Sequence, residues 1–494
     1  MKVIYLLPVF LLLSLFVSAQ NEEDALRFST LHAYGSARMT AMGGAFGALG
    51  GDLSALSLNP GGVGVFRRSE VSFTSTLDFD KVTSGRFDRD RNTYLIGTLG
   101  FALSFETGDK KWKSVNFGFN YTTLNNFNRN AMLGGHLSAS SLADVWLQEA
   151  NGTKRDDLNP FTTSLAYDAC ILLKKENSDD QYMIPFNEGD QVEQRRFMKE
   201  RGYQGEYAIS LGTNYDDKLY LGFTLGVQSI HYRSYANYME GMPEGEETTS
   251  KLSHFNFEQE FETSGMGVNF KVGAIYRPIP LLRLGFSVHT PTFYSLDADA
   301  YNHVSAWYFE PPLADDANTA FGNGAAAVFE YKLKTPWRMI ASVAGVFGQK
   351  ALLSFDYEYV DYANANFSND EAGDEYDETN EGIKNGYRAT HNFRVGAEYR
   401  MNSIFSLRAG YAYWASPYEK GDLNSTHDTQ LLSGGFGLNF GNFFVDAAYQ
   451  HKSMKNNTLF YYYQDATLSA PIESPEVSSE CKNNLFKLTL GLRF

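Results

Sequence analysis

Nine histidines and two cysteines are the residues in this chain best suited to nucleophilic or metal chemistry, and their spacing argues against both. The histidines stand at 32, 136, 231, 254, 289, 303, 391, 427 and 451, with no HExxH pair and no CxxC. Metal sites need ligands brought together by such spacings, so no metal and no cofactor is expected. A hydrolytic triad would have to be assembled across strands around His289 or His391. An isolated histidine of this kind is more often a structural side chain. Gly43-Gly44 lacks the Lys-Ser/Thr of a phosphate cradle. Cys170 and Cys481 allow one bridge in an oxidising compartment, provided their Cα atoms come within roughly 7 Å. The sequence predicts that the protein is not an enzyme.

The formal net charge of −16 excludes a nucleic-acid partner, which needs a basic surface. Eleven acids and one lysine in Ser234–Ser250 and Asn364–Tyr387 supply −10 of it. Such runs are usually solvated loops, although they also suit a divalent ion shared with surface lipids.

The elements that carry these residues are strands. Residues 1–19 read as a signal peptide: Lys2, an apolar stretch to Val17, then cleavage after Ala19. Beyond it no apolar run is long enough for a spanning helix. From Ser69 onward, apolar and polar residues alternate in stretches of about ten, the period of a strand with one apolar face. Phe486, Leu488, Leu490, Leu492 and Phe494 face one way, and Lys487, Thr489, Gly491 and Arg493 the other. Strands are expected at 69–79, 92–106, 114–127, 204–215, 218–233, 251–277, 281–292, 325–347, 350–361, 388–400, 403–414, 430–440, 442–453 and 484–494. The joins alternate between short turns such as Asp216-Asp217 and long loops, of which 128–203 is the largest. That alternation is the outer-membrane pattern of short periplasmic turns and long external loops. The strands at 251–277 and 325–347 exceed what a membrane needs, so each must project or split.

The reading is all-β: a transmembrane antiparallel barrel of about fourteen strands in a Gram-negative outer membrane. Terminal Phe494 is the expected assembly signal. A charge facing lipid near mid-membrane costs about 2–4 kcal/mol for Arg or Lys, so Asp356, Glu358, Arg394, Glu398, Arg400, Arg408, Asp446, Lys487 and Arg493 are assigned to the lumen.

Residues 20–68 are of another kind. Small residues dominate, from Gly35-Ser36-Ala37-Arg38 through Ala41-Met42-Gly43-Gly44-Ala45-Phe46 and Asp52 to the turn at Asn59-Pro60-Gly61-Gly62. Backbone can pack closely there, and a segment of this length would plug the lumen. This pattern resembles the amino-terminal hatch of the FadL/TodX family of outer-membrane transporters. It is carried by Gly35, Arg38, Met42, Gly43, Gly44, Phe46, Asp52, Asn59, Pro60 and Gly62, with Gly61 in place of the usual alanine. The resemblance implies passive diffusion of hydrophobic small molecules, long-chain fatty acids or aromatic hydrocarbons, through a plugged barrel with a lateral exit. It places that exit at a kink in the third strand, where Gly118 is the candidate. The ligand-binding residues are not readable. Helical patches in the longest loop are expected at Ser140–Glu149 and Phe161–Lys174. Similar hatches occur in shuttle components of type IX secretion, so a barrel whose external loops hold a protein partner is the alternative. A general porin is a third reading, against which the hatch argues.

Overall fold

The computed structural model describes residues 22–31, 35–187, 190–243, 250–310, 319–322, 324–348, 350–369, 376–465 and 468–494. The expected leader, and residues 244–249 and 370–375 of the acidic segments, lie outside them. Fourteen antiparallel strands close into one barrel. They are β1 (Glu70–Ser84), β2 (Phe87–Glu106), β3 (Trp112–Asn126), β4 (Val192–Tyr215), β5 (Leu219–Gly241) and β6 (Leu252–Ile279), followed by β7 (Leu282–His289 and Phe293–Tyr308) and β8 (Ala325–Lys334 and Arg338–Phe347). Then come β9 (Ala351–Asp361), β10 (Ala389–Arg400), β11 (Phe405–Trp414), β12 (Thr429–Asn439), β13 (Phe443–Thr458) and β14 (Val477–Arg493). Closure is by β14 on β1, from Glu70 opposite Arg493 to Thr83 opposite Glu480. Closure pairs the first strand with the last, removing the two terminal edges that an open sheet would turn to lipid.

The alternation seen in sequence sorts side chains between two environments. Leu77, Phe79, Phe223, Phe270, Phe286, Phe355, Phe436, Phe486 and Leu488 all stand exposed on the outer face. Such a band would be an aggregation surface in water and is the natural covering in lipid. The alternate positions are buried and polar: Thr74, Asn116, Glu206, Lys271, Asp356, Glu358, Arg394 and Lys487. Two of the expected lumen charges stand at strand ends on the short-turn rim, still on the inward face: Arg400 is exposed there beside Glu398 at 3.2 Å, and Arg493, opposite buried Glu70 in the ladder, pairs with it at 2.8 Å.

The short turns follow from local chemistry. Across Asp216-Asp217, at φ +54° and +53°, the Lys218 N–H donates to the Tyr215 carbonyl at 3.0 Å. Both φ values belong to a type I′ turn, which aspartate tolerates. The two over-long strands resolve differently. β6 is one continuous strand of 28 residues, about 90 Å at the usual rise, and so projects far beyond the bilayer. β8 is split at Thr335-Pro336-Trp337, and β7 beside it at Thr290-Pro291-Thr292. Proline cannot donate to a ladder, and threonines make up the loss. Thr335 Oγ1 accepts from the Thr292 N–H at 2.8 Å and Thr290 Oγ1 from the Phe270 N–H at 3.0 Å.

Candidate functional site

The first part of the site is the contact of residues 35–66 with inward-facing wall residues. Ser36 caps the short helix α2 (Ala37–Ala41): its Oγ accepts from the Met39 N–H at 3.1 Å and donates to Asp52 at 2.7 Å. Asp52 also accepts from the Ser54 N–H at 2.9 Å, tying α2 to the turn before α3 (Ala55–Leu58). Arg38 donates to Glu398 on β10 at 2.9 Å. Glu398 takes Arg408 of β11 at 2.8 Å, and Arg408 takes Asp446 of β13 at 2.5 Å. Nearby, Asp356 of β9 accepts the N–H groups of Phe46 (3.0 Å) and Gly47 (2.9 Å).

Further along, Asn59 bridges backbone, donating to the Gly47 carbonyl at 2.6 Å and accepting from Gly61 N–H at 3.0 Å, which starts the Pro60–Val65 turn. Thr224 donates to the Leu56 carbonyl, and Ser287 and His289 to that of Leu58, each at 2.9 Å.

The small residues mark close approach. Gly43 and Gly44 hold φ of +64° and +78°, and a Cβ on Gly43 would lie 2.8 Å from the Tyr411 nitrogen. A Cβ on Gly62 would lie 2.7 Å from that of Ala55, and one on Gly35 would strike Ser54 and Met39. Met42 and Phe46 are fully buried.

Toward the long-loop end lies an apolar chamber filled by α1 (Glu22–Ser29). Ala25, Leu26 and Phe28 pack among Ile230, Tyr232, Tyr294, Leu296, Tyr331 and Leu333 of the wall, Phe367 of the loop after β9 and Ile383 of α6 (Asp377–Gly386). Phe28 meets Phe127 and Tyr232 edge-on, each with centroids 6.0 Å apart. Arg27 stacks on Tyr232 at 4.5 Å. Gln204 and Arg338 donate to the carbonyls of Phe28 (3.1 Å) and Ser29 (3.2 Å) at the end of α1. The chemistry such a space offers is burial of apolar surface.

The third part is a lapse in the wall. The β2–β3 ladder runs from Glu106 opposite Ser114 to Thr98 opposite Thr122, and among the described residues it goes no further. Above it, Asp88–Ile96 pair only with β1, past a bulge at Gly97. Side-chain bonds cross the seam from Thr123 Oγ1 to the Ile96 carbonyl at 2.7 Å and, higher up, from Asn130 Nδ2 to the Asp90 carbonyl at 3.1 Å. β3 bulges at Leu124 and stops at Asn126, and the chain resumes as the Arg129–Ser138 strand on β4. Gly118 lies in unbroken ladder between Ala102 and Ser210, and its missing side chain makes room for Leu56. The sequence signals of the true interruption are Gly97 and the asparagine-rich run Asn125–Asn128.

The longest loop folds into a cap. Of its helices, α5 (Thr163–Asp168) falls within its expected patch and α4 (Leu142–Ala150) runs one residue past the end of the other. Trp146 is buried against Phe255 and Phe257, at 5.5 and 5.4 Å. Glu240 of β5 holds the start of α4, accepting from Ser141 Oγ, Tyr238 OH, the Leu142 N–H (3.2 Å) and Gln194 Nε2 (3.0 Å). Cys170 and Cys481 do not form the bridge considered from sequence. Cys481 instead donates to Asp80 at 3.3 Å on the lumen side, whereas Cys170 belongs to the cap. His391 faces the Tyr357 hydroxyl on the outside, so the two strand histidines share no site. Among the described residues no metal-binding cluster is assembled.

Comparison with solved structures places this architecture. A Pseudomonas aeruginosa FadL homologue superimposes with a TM-score of 0.57 at 13% identity, covering 94% of this chain and all of that one. The CymD monoaromatic hydrocarbon channel gives 0.51 at 13% identity, over 94% and 98% of the two chains. The P. putida toluene transporter TodX gives 0.51 at 11%, over 94% and 99%. At such identities the likeness concerns the fold. No curated protein sequence matches the chain. The family model for outer membrane transport proteins of the OMPP1/FadL/TodX type matches residues 216–494, more than half of the chain. This outer-membrane barrel therefore belongs to the OMPP1/FadL/TodX family of transport proteins.

Proposed function

We propose that the protein passes hydrophobic small molecules, long-chain fatty acids or aromatic hydrocarbons, into the plane of the membrane by passive diffusion. In this reading residues 35–66 are a plug that stays in place. The ligand displaces α1 from the apolar chamber and leaves sideways between β2 and β3. One observation carries the reading. Phe127, the first residue after β3 stops, is also the residue that packs on Phe28 of α1. Chamber and lapse therefore meet at one side chain. Unpaired strand backbone at membrane depth is tolerated only where it lines a cavity or is covered by protein. Tyr94 and Ile96, 59% and 41% exposed and the first of them opposite outward Leu77 of β1, support a lipid-facing position for the unpaired stretch of β2.

The test is to sew the seam shut. In a protein freed of Cys170 and Cys481, Ile96→Cys with Thr123→Cys should form a bridge under oxidation. Uptake of a labelled fatty acid or of toluene should then fall by about tenfold or more and return on reduction. Unchanged uptake by the bridged protein would eliminate the lateral route.

A further inference from the structure

Beside the seam, the outward faces of β4 and β5 rise from aromatic residues into a cationic patch. Tyr203 and His231, with ring centroids 5.4 Å apart above the exposed Tyr207, mark the top of the lipid belt. The next outward pair is Arg201 and Arg233, directly opposite each other in the ladder, with exposed Lys199 one step further along β4. Like charges so placed repel. Among the described residues Arg201 meets no carboxylate: it donates to the Arg129 carbonyl (2.9 Å), the Glu200 carbonyl (2.5 Å) and Asn130 Oδ1 (2.8 Å). Arg233 is drawn to the far side by Glu260 at 3.0 Å and Glu262 at 4.0 Å. Arg91, on the unpaired stretch of β2, lies close enough to add to the repulsion on Arg201 and leaves its buried Nε without a partner.

We propose that this patch binds the phosphate of an outer-leaflet lipid at the mouth of the seam. The height fits, since lipid phosphates lie just beyond the acyl chains that the aromatic residues contact. The chemistry fits as well: planar guanidinium groups match phosphate oxygens two at a time, and an anion between Arg201 and Arg233 turns their repulsion into attraction. A lipid seated there would bind beside the route proposed above, but the site does not depend on that route.

The test uses the whole protein, incubated in detergent with vesicles of phosphatidylcholine containing diphosphorylated lipid A or lipid A stripped of its phosphates. Lipid retained is read by native mass spectrometry. The unaltered protein should keep lipid A in preference to the stripped form, and Arg201→Ala with Arg233→Ala should lower retention by about tenfold. Lys81→Ala with Lys482→Ala is the control. These lysines also face each other above the belt, but each already holds a carboxylate at 2.8 Å, so retention should not change. Heat-modifiable gel mobility reports folding, and Arg201→Gln alone serves if the double variant does not fold. Equal retention of the two lipids, equal retention by the arginine variant, or equal loss in the lysine control would overturn the proposal. So would inorganic phosphate binding as tightly as the lipid, because the site would then be one for a free anion.

Discussion

Residues 35–66 meet the barrel wall through ion pairs, backbone bonds and glycines with no room to spare, whereas α1 meets it through Leu26, Phe28 and a stacked arginine, with wall side chains bonded to the carbonyls at its carboxyl end. Polar contacts with fixed geometry have one good arrangement. Breaking a buried pair leaves a charge uncompensated, at about 3–5 kcal/mol. Apolar contacts are non-directional, so another apolar group of similar size can take the same place at little cost. The difference suits the first stretch to stay and the second to be exchanged for a ligand. Both halves of that contrast can be attacked separately.

The largest effect is expected at Gly43. Leucine there would have to adopt φ near +64° and place its Cβ 2.8 Å from the Tyr411 backbone. Overpacking of this kind costs about 1–3 kcal/mol, and the left-handed backbone adds to it. The wall strands do not need this residue, so heat-modifiable mobility should stay normal. Hydrophilic sugars should begin to leak in liposome swelling, and hydrophobic uptake should fall. A folded Gly43→Leu protein that stays sealed and transports as before would show that this stretch is no plug.

Phe28→Ala tests the other half. It removes both edge contacts of α1, with Phe127 and with Tyr232. In a rigid core such a truncation costs about 3–5 kcal/mol, more than a helix of eight residues can recover from its remaining contacts. Hydrophobic uptake at low ligand concentration should rise a few-fold, with no sugar leak. Leakage like that of Gly43→Leu would place the seal in α1 and collapse the distinction.

The parts legible in sequence are those where one environment dictates residue type over many positions. Lipid outside and bonded polar groups inside impose period two, so the fourteen strands were readable in order from the alternation and the turns, although the Phe293–Tyr308 half of β7 and the first twelve residues of β4 fell in stretches expected to be loops. The expected split or projection of the long strands became one of each, because Pro336 interrupts β8 and β6 contains no proline before Arg277. The small residues of 35–66 were readable because a close wall excludes larger ones. α1 was not: EEDALRFS is short and mostly polar, and its buried face makes sense only against residues from β4 through α6. The lapse in the wall escaped for a related reason. A glycine such as Gly118 signals room, and what uses the room, here Leu56, is set by tertiary contact.

A third way of docking completes the comparison and gives the smallest effect. The cap helix α4 is held by a single carboxylate, Glu240, with hydroxyl, amide and N–H donors and no cation among its hydrogen-bond partners. Burial pushes this carboxyl up from its ordinary 4.5 to about 7, against the pull of the donors that favour its charge. The docked cap therefore binds a proton that an undocked Glu240 would release between those values. Stability of docking is fully present below about pH 4.5 and declines as pH rises through 7. Amide exchange across Leu142–Ala150, corrected for its intrinsic pH dependence, should be faster at pH 8 than at pH 6 by a few-fold. Glu240→Gln keeps an acceptor without the charge and should flatten most of that slope. Glu149 on the same helix is also raised to about 7 by burial, so any slope that remains should vanish with Glu149→Gln. If exchange in α4 is the same at both pH values, or the slope survives both substitutions, the cap is not held by a titrating group. It would then belong with residues 35–66, as a fixture.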